Sequence, residues 1–599
     1  MVPTQRRRLP VLAPLILIVL TASAVSHAAE FRVGAGGTHA TIQSAVAAAQ
    51  AAPGNHIIKI RTGVYGENVG LWAPFTGSLE MVGGWDATFA TRTRDASATV
   101  IDGQALGRVL LLRAEGGSLL VEGLTLRNGR LALEDGAGLY VEASAHSSVR
   151  VSNCHIRDNH VGPKHPWAAG AHVTLLDGST FALSDSRIQG NTAAVSTGNA
   201  LGIGLLVSAY DRTEAVIRRN LFVSNVSRLE TAGGTNGAAL YAGAVTGARI
   251  EISENRFEGN AVELTPGPPA LDATAGIFLY GDGSDGSFVV RRNRFVGNRG
   301  GYAVQLLGDR PIELTDNLLV GNSRGILCYP CGPFHLTNLT LVDSGGIRLE
   351  QSASTEVSIA NSIVFGVGAG IISTPGFPPP TLFNNLVGTD PSFVNPAAGD
   401  YRLLPGSLGI DAGEDSPPGG LGPLDLLNDR RRRGSHVDLG AFEFSGSDSA
   451  TGGGLCLVGD RPVAPVFTNA CRCARDAGLN EARCGFLLPE LFLEAVAGIP
   501  AIPGAPTDQR WVIHPWQGSA GPYEIAVEAL QNGKWIALVP SELPAGTLSI
   551  DKLVQHTFSP AGLASDLPMR ARIRHMAPKT PGSPDLTMVE DFVYWAMTK

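Results

Sequence analysis

A short phrase recurs eight times between Val149 and Val364, and this repetition restricts the fold more than any other feature. Its clearest copies are Ile252-Ser-Glu-Asn-Arg-Phe257-Glu-Gly-Asn260, Val290-Arg-Arg-Asn-Arg-Phe295-Val-Gly-Asn298 and Leu314-Thr-Asp-Asn-Leu-Leu319-Val-Gly-Asn322. Aligned, the copies give one apolar column of Val151, Leu183, Ile217, Ile252, Val290, Leu314, Leu336 and Ile359. A second column, five residues on, holds Ile156, Ile188, Phe222, Phe257, Phe295, Leu319, Leu341 and Val364. An Asn column follows (Asn159, Asn191, Asn225, Asn260, Asn298, Asn322) and gives way to Ser344 and Val367. A repeat of this length means a solenoid, because a single unit cannot bury its apolar face without neighbours.

The last copies stand 24, 22 and 23 residues apart, the earlier ones 32 to 38. Each unit holds short apolar stretches of period two, including Gly-led ones such as Gly138-Leu-Tyr-Val and Gly204-Leu-Leu-Val. That alternation predicts strands, whose successive side chains point to opposite faces. No unit has room for a helix, so three short strands per turn of about 22 residues predict a parallel β-helix. The extra residues of the earlier coils are expected to leave as loops on one side, where solenoids usually bind. Residues 40–52 are Ala-rich with Ile42, Val46 and Ala49 on one face, which predicts an amphipathic helix plugging the first coil. The strand of that coil is read at His56-Ile-Ile-Lys-Ile-Arg.

Several of these segments resemble a known family. Thr41-Ile-Gln-Ser-Ala-Val and Ile60-Arg-Thr-Gly-Val-Tyr-Gly-Glu-Asn-Val resemble the entry to pectin-lyase-like right-handed β-helices. The Phe-x-x-Asn units ending at Asn225, Asn260 and Asn298 are similar to polymorphic outer-membrane-protein repeats. Asp390-Pro-Ser-Phe-Val-Asn-Pro, Ile410-Asp-Ala-Gly and Val437-Asp-Leu-Gly-Ala-Phe-Glu resemble the choice-of-anchor Q module that closes many bacterial surface β-helices. The resemblance covers about residues 30–445. It implies the fold, and implies a host of polysaccharide-active enzymes without naming an activity.

Arg6, Arg7 and Arg8, the apolar run from Leu9 to Val25 and the Ser26-His-Ala28 site read as a secretory signal over residues 1–28. Sec export to the periplasm, cell surface or exterior is expected. No second long apolar run follows, so no membrane-spanning segment is expected after signal removal. The formal net charge is −8, and the one basic run, Arg430 to Arg433, is read as pairing with Asp425, Asp429 and Asp438 rather than with nucleic acid. The expected partner is a polysaccharide or cell-surface glycan; oligomeric state is not legible.

Seven cysteines in an exported chain suggest disulfides with one thiol left over. Cys456, Cys471, Cys473 and Cys484 are candidates for two bridges of undetermined pairing, and Cys328 with Cys331 for a small loop-closing one. Cys154, beside column residue Ile156, is the thiol expected to stay free. No His/Cys/Asp spacing suggests zinc, and no cofactor is expected. Asp282-Gly-Ser-Asp-Gly286 is superficially a calcium loop, but it lacks the bidentate Glu and reads as turn chemistry. The Asn column reads as a buried amide ladder capping turn backbone groups rather than as a ligand site.

Catalysis has one candidate column. Asn-Thr-Asp, Asp-Asp and Gly-His-Gly, which polygalacturonase-like chemistry needs, do not occur. The column before Asn255 runs Asn153, Asp185, Arg219, Glu254, Arg292, Asp316, Asn338, Asn361, and its middle five alternate in sign. Stacked about 4.8 Å apart, they predict an exposed charge ladder on one face. Opposite charges on neighbouring strands contribute about 0.2–1 kcal/mol per pair. They also lower carboxyl pKa values, which suits neither a general acid nor calcium binding. The column therefore favours structure. Asp185, Arg219, Glu254, Arg292 and Asp316 remain the residues a lyase would use.

Repeat grammar stops after Phe444. The expected organisation is a signal at 1–28, a β-helix over 29–445 with its closing module at about 386–445, and a Gly/Ser linker at 446–454. A Cys-containing segment at 455–505 follows, with a short helix over 488–496, then a small antiparallel β-sandwich-like domain at 506–599. Trp511, Trp516, Trp535 and Trp595 fall there; a small packed core outweighs sugar stacking as their role. The favoured function is an exported, non-catalytic β-helix presenting a repetitive face to glycan. The alternative is a lyase or glycoside hydrolase acting on acidic polysaccharide in the same groove.

Overall fold

The computed structural model describes residues 29–444, apart from 53, 165, 197–198, 231–233, 265–272, 283–285, 309–310, 332, 351–356 and 377, and backbone strands within 457–595. The signal segment, the Asp282–Gly286 loop interior, and the side chains of Cys331, the four later cysteines and the four later tryptophans lie outside the described residues.

Three parallel sheets enclose one core. Face A has thirteen strands, from Ala29–Val33 to Thr381–Phe383. Face B has twelve, from Gly63–Gly66 to Leu386–Val387, and face C eleven, from Val69–Gly70 to Ile371–Ser373. In the repeat region each strand bonds its equivalent one coil away, so the chain is a parallel β-helix. Register matches the aligned copies residue for residue. Val151, Leu183, Ile217, Ile252, Val290, Leu314, Leu336 and Ile359 are successive partners on face A. Ile156 through Val364 are successive partners on face B. All sixteen side chains are buried in one cluster. Phe222, Phe257 and Phe295 stack with ring centroids 4.8 Å apart at both steps. That is the inter-strand spacing itself, so identical residues on consecutive coils stack without leaving their columns.

The helix Ile42–Ala51 closes the first coil, burying Ile42, Ala45, Val46 and Ala49 against it. Thr41 caps it by accepting from the Ser44 amide at 3.1 Å, and Glu67 accepts from the Ile42 and Gln43 amides. One strand precedes the expected first one: Ala29–Val33 pairs in parallel with Asn55–Arg61.

Two expectations change. The long-coil inserts are not loose loops. Arg130–Leu131, His160–Val161, Thr192–Val195, Val226–Leu229 and Ala261–Leu264 form a fourth parallel sheet, with a core of its own that includes Val161, Val195, Leu229 and Val262. Because consecutive inserts share one register, their exposed edges pair instead of hydrating. Near the C-terminus, Leu491–Gly498 is a strand and not the expected helix. It lies between Glu481–Leu487 and Gln509–Pro515 in an antiparallel sheet. Phe492 and Val496 suit a strand, and cross-strand pairing takes over.

Candidate functional site

Each repeat coil turns from face A to face B through a single residue in the left-handed region. These residues are the charge column: Asn153, Asp185, Arg219, Glu254, Arg292, Asp316, Asn338 and Asn361, with φ between 49° and 58°. L-residues resist that conformation by about 1–2 kcal/mol, so something must hold it. The next residue does, from inside the coil. Asn255 donates through Nδ2 to the Ile217 carbonyl (2.8 Å) and to Asn293 Oδ1 (3.0 Å), while its own Oδ1 accepts from Asn220. Asn220, Asn255, Asn293 and Asn317 thus form an amide ladder. The second turn, from face B to the inserts, carries the expected one. Asn159, Asn191, Asn225, Asn260, Asn298 and Asn322 link rung by rung and end on Ser344.

With the turns fixed, the five charged side chains project along one seam and bond in alternation. Arg219 grips Asp185 through two bonds of 2.6 and 2.7 Å. Arg292 donates to Glu254 at 2.8 Å, and Arg218 from face A adds a second bond at 2.9 Å. Burial raises the Glu254 carboxyl, but the bonds from Arg218 and Arg292 outweigh it and hold Glu254 below its ordinary range. The expected exposure holds only for the upper rungs. Arg292 is 8% exposed and Asp316 1%.

Residues 390–444, where the closing module is expected, cover the lower rungs. On the outside of face B, coils up to Arg294 present His155, Arg187, Leu221 and Arg256, whereas the next three present Leu318, Thr340 and Ile363. Phe393, Tyr401, Leu403, Leu426, Leu439 and Phe442 pack on that apolar stretch. Asn338 donates to the Asp438 carbonyl (3.0 Å), and Asn361 exchanges two bonds with the Glu414 backbone. Arg431 reaches through to Asp316 and also donates to Glu443 (3.1 Å). The basic run pairs only in part as expected. Arg433 meets Asp429 at 3.8 Å, whereas Arg431 reaches the ladder and Arg432 meets Asp415 at 3.1 Å. Burial raises Asp316, Asp425 and Asp438, and raises Glu443 to about 8 against the pull of Arg431.

Face C differs from both other faces. Its outward side chains form two files. One runs Tyr140, His172, Leu206, Tyr241, Phe278; the other runs Glu142, Thr174, Ser208, Gly243, Tyr280. Tyr241 and Phe278 stack at 5.4 Å, Tyr140 meets His172 edge-on at 5.2 Å, and Arg108 lies over the Tyr140 ring. Trp72, Tyr210 and Tyr329 are exposed. The insert sheet adjoins this face, the two sharing the buried cluster of Val195, Leu229, Ala238 and Ala275. Face A instead carries paired charges: Arg291 with Glu251 (2.8 Å) and Arg249 with Glu214 (4.0 Å).

Cys154 is a free, buried thiol pushed up to about 12 by burial, and Cys328 is disulfide-bonded. Among the described residues no three His, Cys, Asp or Glu side chains gather as metal ligands, and no helix is long and apolar enough to cross a membrane.

No curated protein and no solved structure matches the chain. Two family models match inside the stacked coils: residues 107–285 match the right handed beta helix region, and residues 234–389 match the periplasmic copper-binding protein NosD. Copper sites draw on imidazole and thiolate or thioether donors. The described side chains within 234–389 do not supply such a set: His335 is engaged by Ser358 at 2.8 Å, and Cys328 is held in its disulfide. The donor set does not fit copper. The sheets and the first of these matches together make the chain a right-handed parallel β-helix.

Proposed function

We propose that the protein is exported to the cell envelope and binds glycan along the outer side of face C. The observation that carries this reading is the accessible aromatic content of face C: Phe278 is buried, but Tyr241 and Tyr280 are half-buried and Trp72, Tyr210 and Tyr329 are exposed. Sugar rings present apolar C–H faces edged with hydroxyls. Aromatic side chains match the former, and polar groups such as Thr174 and Glu142 on the same face match the latter. Export agrees with the signal-like segment and with the periplasmic character of one matching family. The repeat-protein and closing-module resemblances fit a surface role, with the closing module sealing the last coils on the face B side.

The lyase alternative on the charge column draws no support from the geometry. Asp185, Arg219, Glu254 and Arg292 are consumed by mutual pairing, and Asp316 is sealed under Arg431. A glycan array probed with the full mature chain tests the binding reading. Selective binding of a glycan class, lost on replacing Tyr241 and Tyr280 with Ala, is the expected result. Binding unaffected by those changes, or none on any glycan, would overturn it.

A further inference from the structure

Three side chains near the first coils of face C stand in a line that the charge column does not require. Asp135 comes from the insert of one coil; His172 and Thr174 come from the next face C strand, Ala171–Leu175, both on its outer side. His172 Nδ1 lies 3.0 Å from Asp135 Oδ2, an ion-pair contact standing off the straight N–H···O line. On the other side of the ring, His172 Nε2 lies 3.3 Å from the Thr174 hydroxyl.

This order of groups is carboxylate, imidazole, hydroxyl. It is the arrangement that turns a hydroxyl into a nucleophile, and it is recognised by geometry, not by chain order. Its supports are rigid. Arg108 donates to the carbonyls of Asp135 (2.8 Å) and Gly136 (3.1 Å), pinning the turn that carries the carboxylate. Gly136 passes so close above the strand that a side chain there would meet His172 and Tyr140 Cβ atoms at 3.2 Å. Burial raises Asp135, yet its contact with His172 outweighs this and holds the carboxyl below its usual range. His172 is buried and Thr174 half-buried. The following rungs of the Thr174 file, Ser208 and Gly243, are small and leave room over the hydroxyl.

We propose that Asp135, His172 and Thr174 form an acyl-transfer triad that hydrolyses short-chain esters, such as O-acetyl groups, carried by glycan on the outer side of face C. Thr174 Oγ1 attacks the ester carbonyl carbon while its proton passes to His172 Nε2, and the carbonyl electron pair moves onto oxygen. Collapse of that adduct breaks the ester C–O bond, and the departing alcohol takes the proton from His172. Water then attacks the threonyl ester, giving its proton to His172, and the acid leaves as Thr174 regains its hydrogen. The sum is ester plus water to acid plus alcohol. Asp135 is a positioning residue, holding the ring and balancing its charge.

That the ester sits on glycan rests on the reading of face C as a glycan surface; the triad chemistry does not. The test is hydrolysis of p-nitrophenyl acetate by the full mature chain beside Thr174→Val, Thr174→Ser and His172→Asn, with circular dichroism to check that each variant folds. The wild type is expected to exceed buffer background, Thr174→Val and His172→Asn to lose about 100-fold or more, and Thr174→Ser to retain turnover. Intact-mass analysis should find an acetyl group on the peptide bearing Thr174 in wild type and not in Thr174→Val. Wild-type hydrolysis at background, or a folded Thr174→Val that keeps full rate, overturns the triad. Ester cleavage without array binding would leave the triad standing and remove the glycan surface; array binding without cleavage would do the reverse.

Discussion

Arg431 donates to Asp316 across 115 residues of chain, and in doing so supplies the next rung of an alternating charge column. The column runs Asp185, Arg219, Glu254, Arg292, Asp316; the next coil offers only the neutral Asn338. A guanidinium from the closing module takes the place of the missing cation, and Glu443 balances its other edge. The closing module is thereby keyed to one coil of the helix, by charge as well as by apolar contact.

Removing that key leaves Asp316 and Glu443 buried without their cation. Breaking a buried pair at one partner costs about 3–5 kcal/mol. Arg431→Met is therefore expected to release the closing module first. Limited proteolysis should show new cuts within 386–444 while the coils above Asn293 stay intact. Asp316→Asn with Arg431→Met should recover part of the loss, since of the two carboxylates only Glu443 is then left without its cation.

Protonation acts at the same seam. Glu443 is raised from 4.5 to about 8, so the folded state holds a proton there that the unfolded chain has released. Its contribution is fully present below about pH 4.5 and fades as pH rises through about 8. Asp316, Asp425 and Asp438 are raised as well and act in the same direction. Glu254 and Glu251 are lowered and act oppositely at more acid pH. Glu443→Gln should flatten the decline in denaturant stability of the closing module between pH 5 and pH 8 (about one proton's worth of slope). An unchanged slope would show that Glu443 is not the titrating group.

The amide ladder is expected to be the stiffest part of the coil. Asn260 donates to the Phe222 carbonyl and to Asn298, and its Oδ1 accepts from both the backbone and side chain of Asn225. Asn260→Ala orphans several buried groups at once, each worth about 1–3 kcal/mol. Chemical denaturation should find a loss of about 3 kcal/mol or more. Asn260→Asp should also destabilise, because it loses both donated bonds.

The fold was legible because an inward position must be apolar in every coil, so Ile252, Val290 and Leu314 announce themselves at any insert length. The Asn260 ladder was legible for the same reason. The ladder through Asn220, Asn255, Asn293 and Asn317 was obscured, since its neighbouring positions hold Cys154, Ser186, Leu339 and Ser362. Its signal was adjacency to the charge column. That column was found, but the burial of Asp316 was not, because the covering residue lies 115 positions later and no local period reports it. Asp135, His172 and Thr174 escaped notice for a related reason. The carboxylate belongs to an insert, outside the aligned phrase, and meets the imidazole only when one coil is laid on the next.

The central functional claim, that the outer side of face C takes the glycan, is tested most directly by comparing faces. The strongest array ligand would be titrated against Tyr241→Ala and Tyr280→Ala on face C and against Arg218→Ala on face A. The account predicts that the two face C variants weaken binding by about tenfold or more, equivalent to about 1.4 kcal/mol, and that Arg218→Ala leaves the dissociation constant unchanged. Loss confined to Arg218→Ala, with both tyrosine variants binding as wild type, would contradict it.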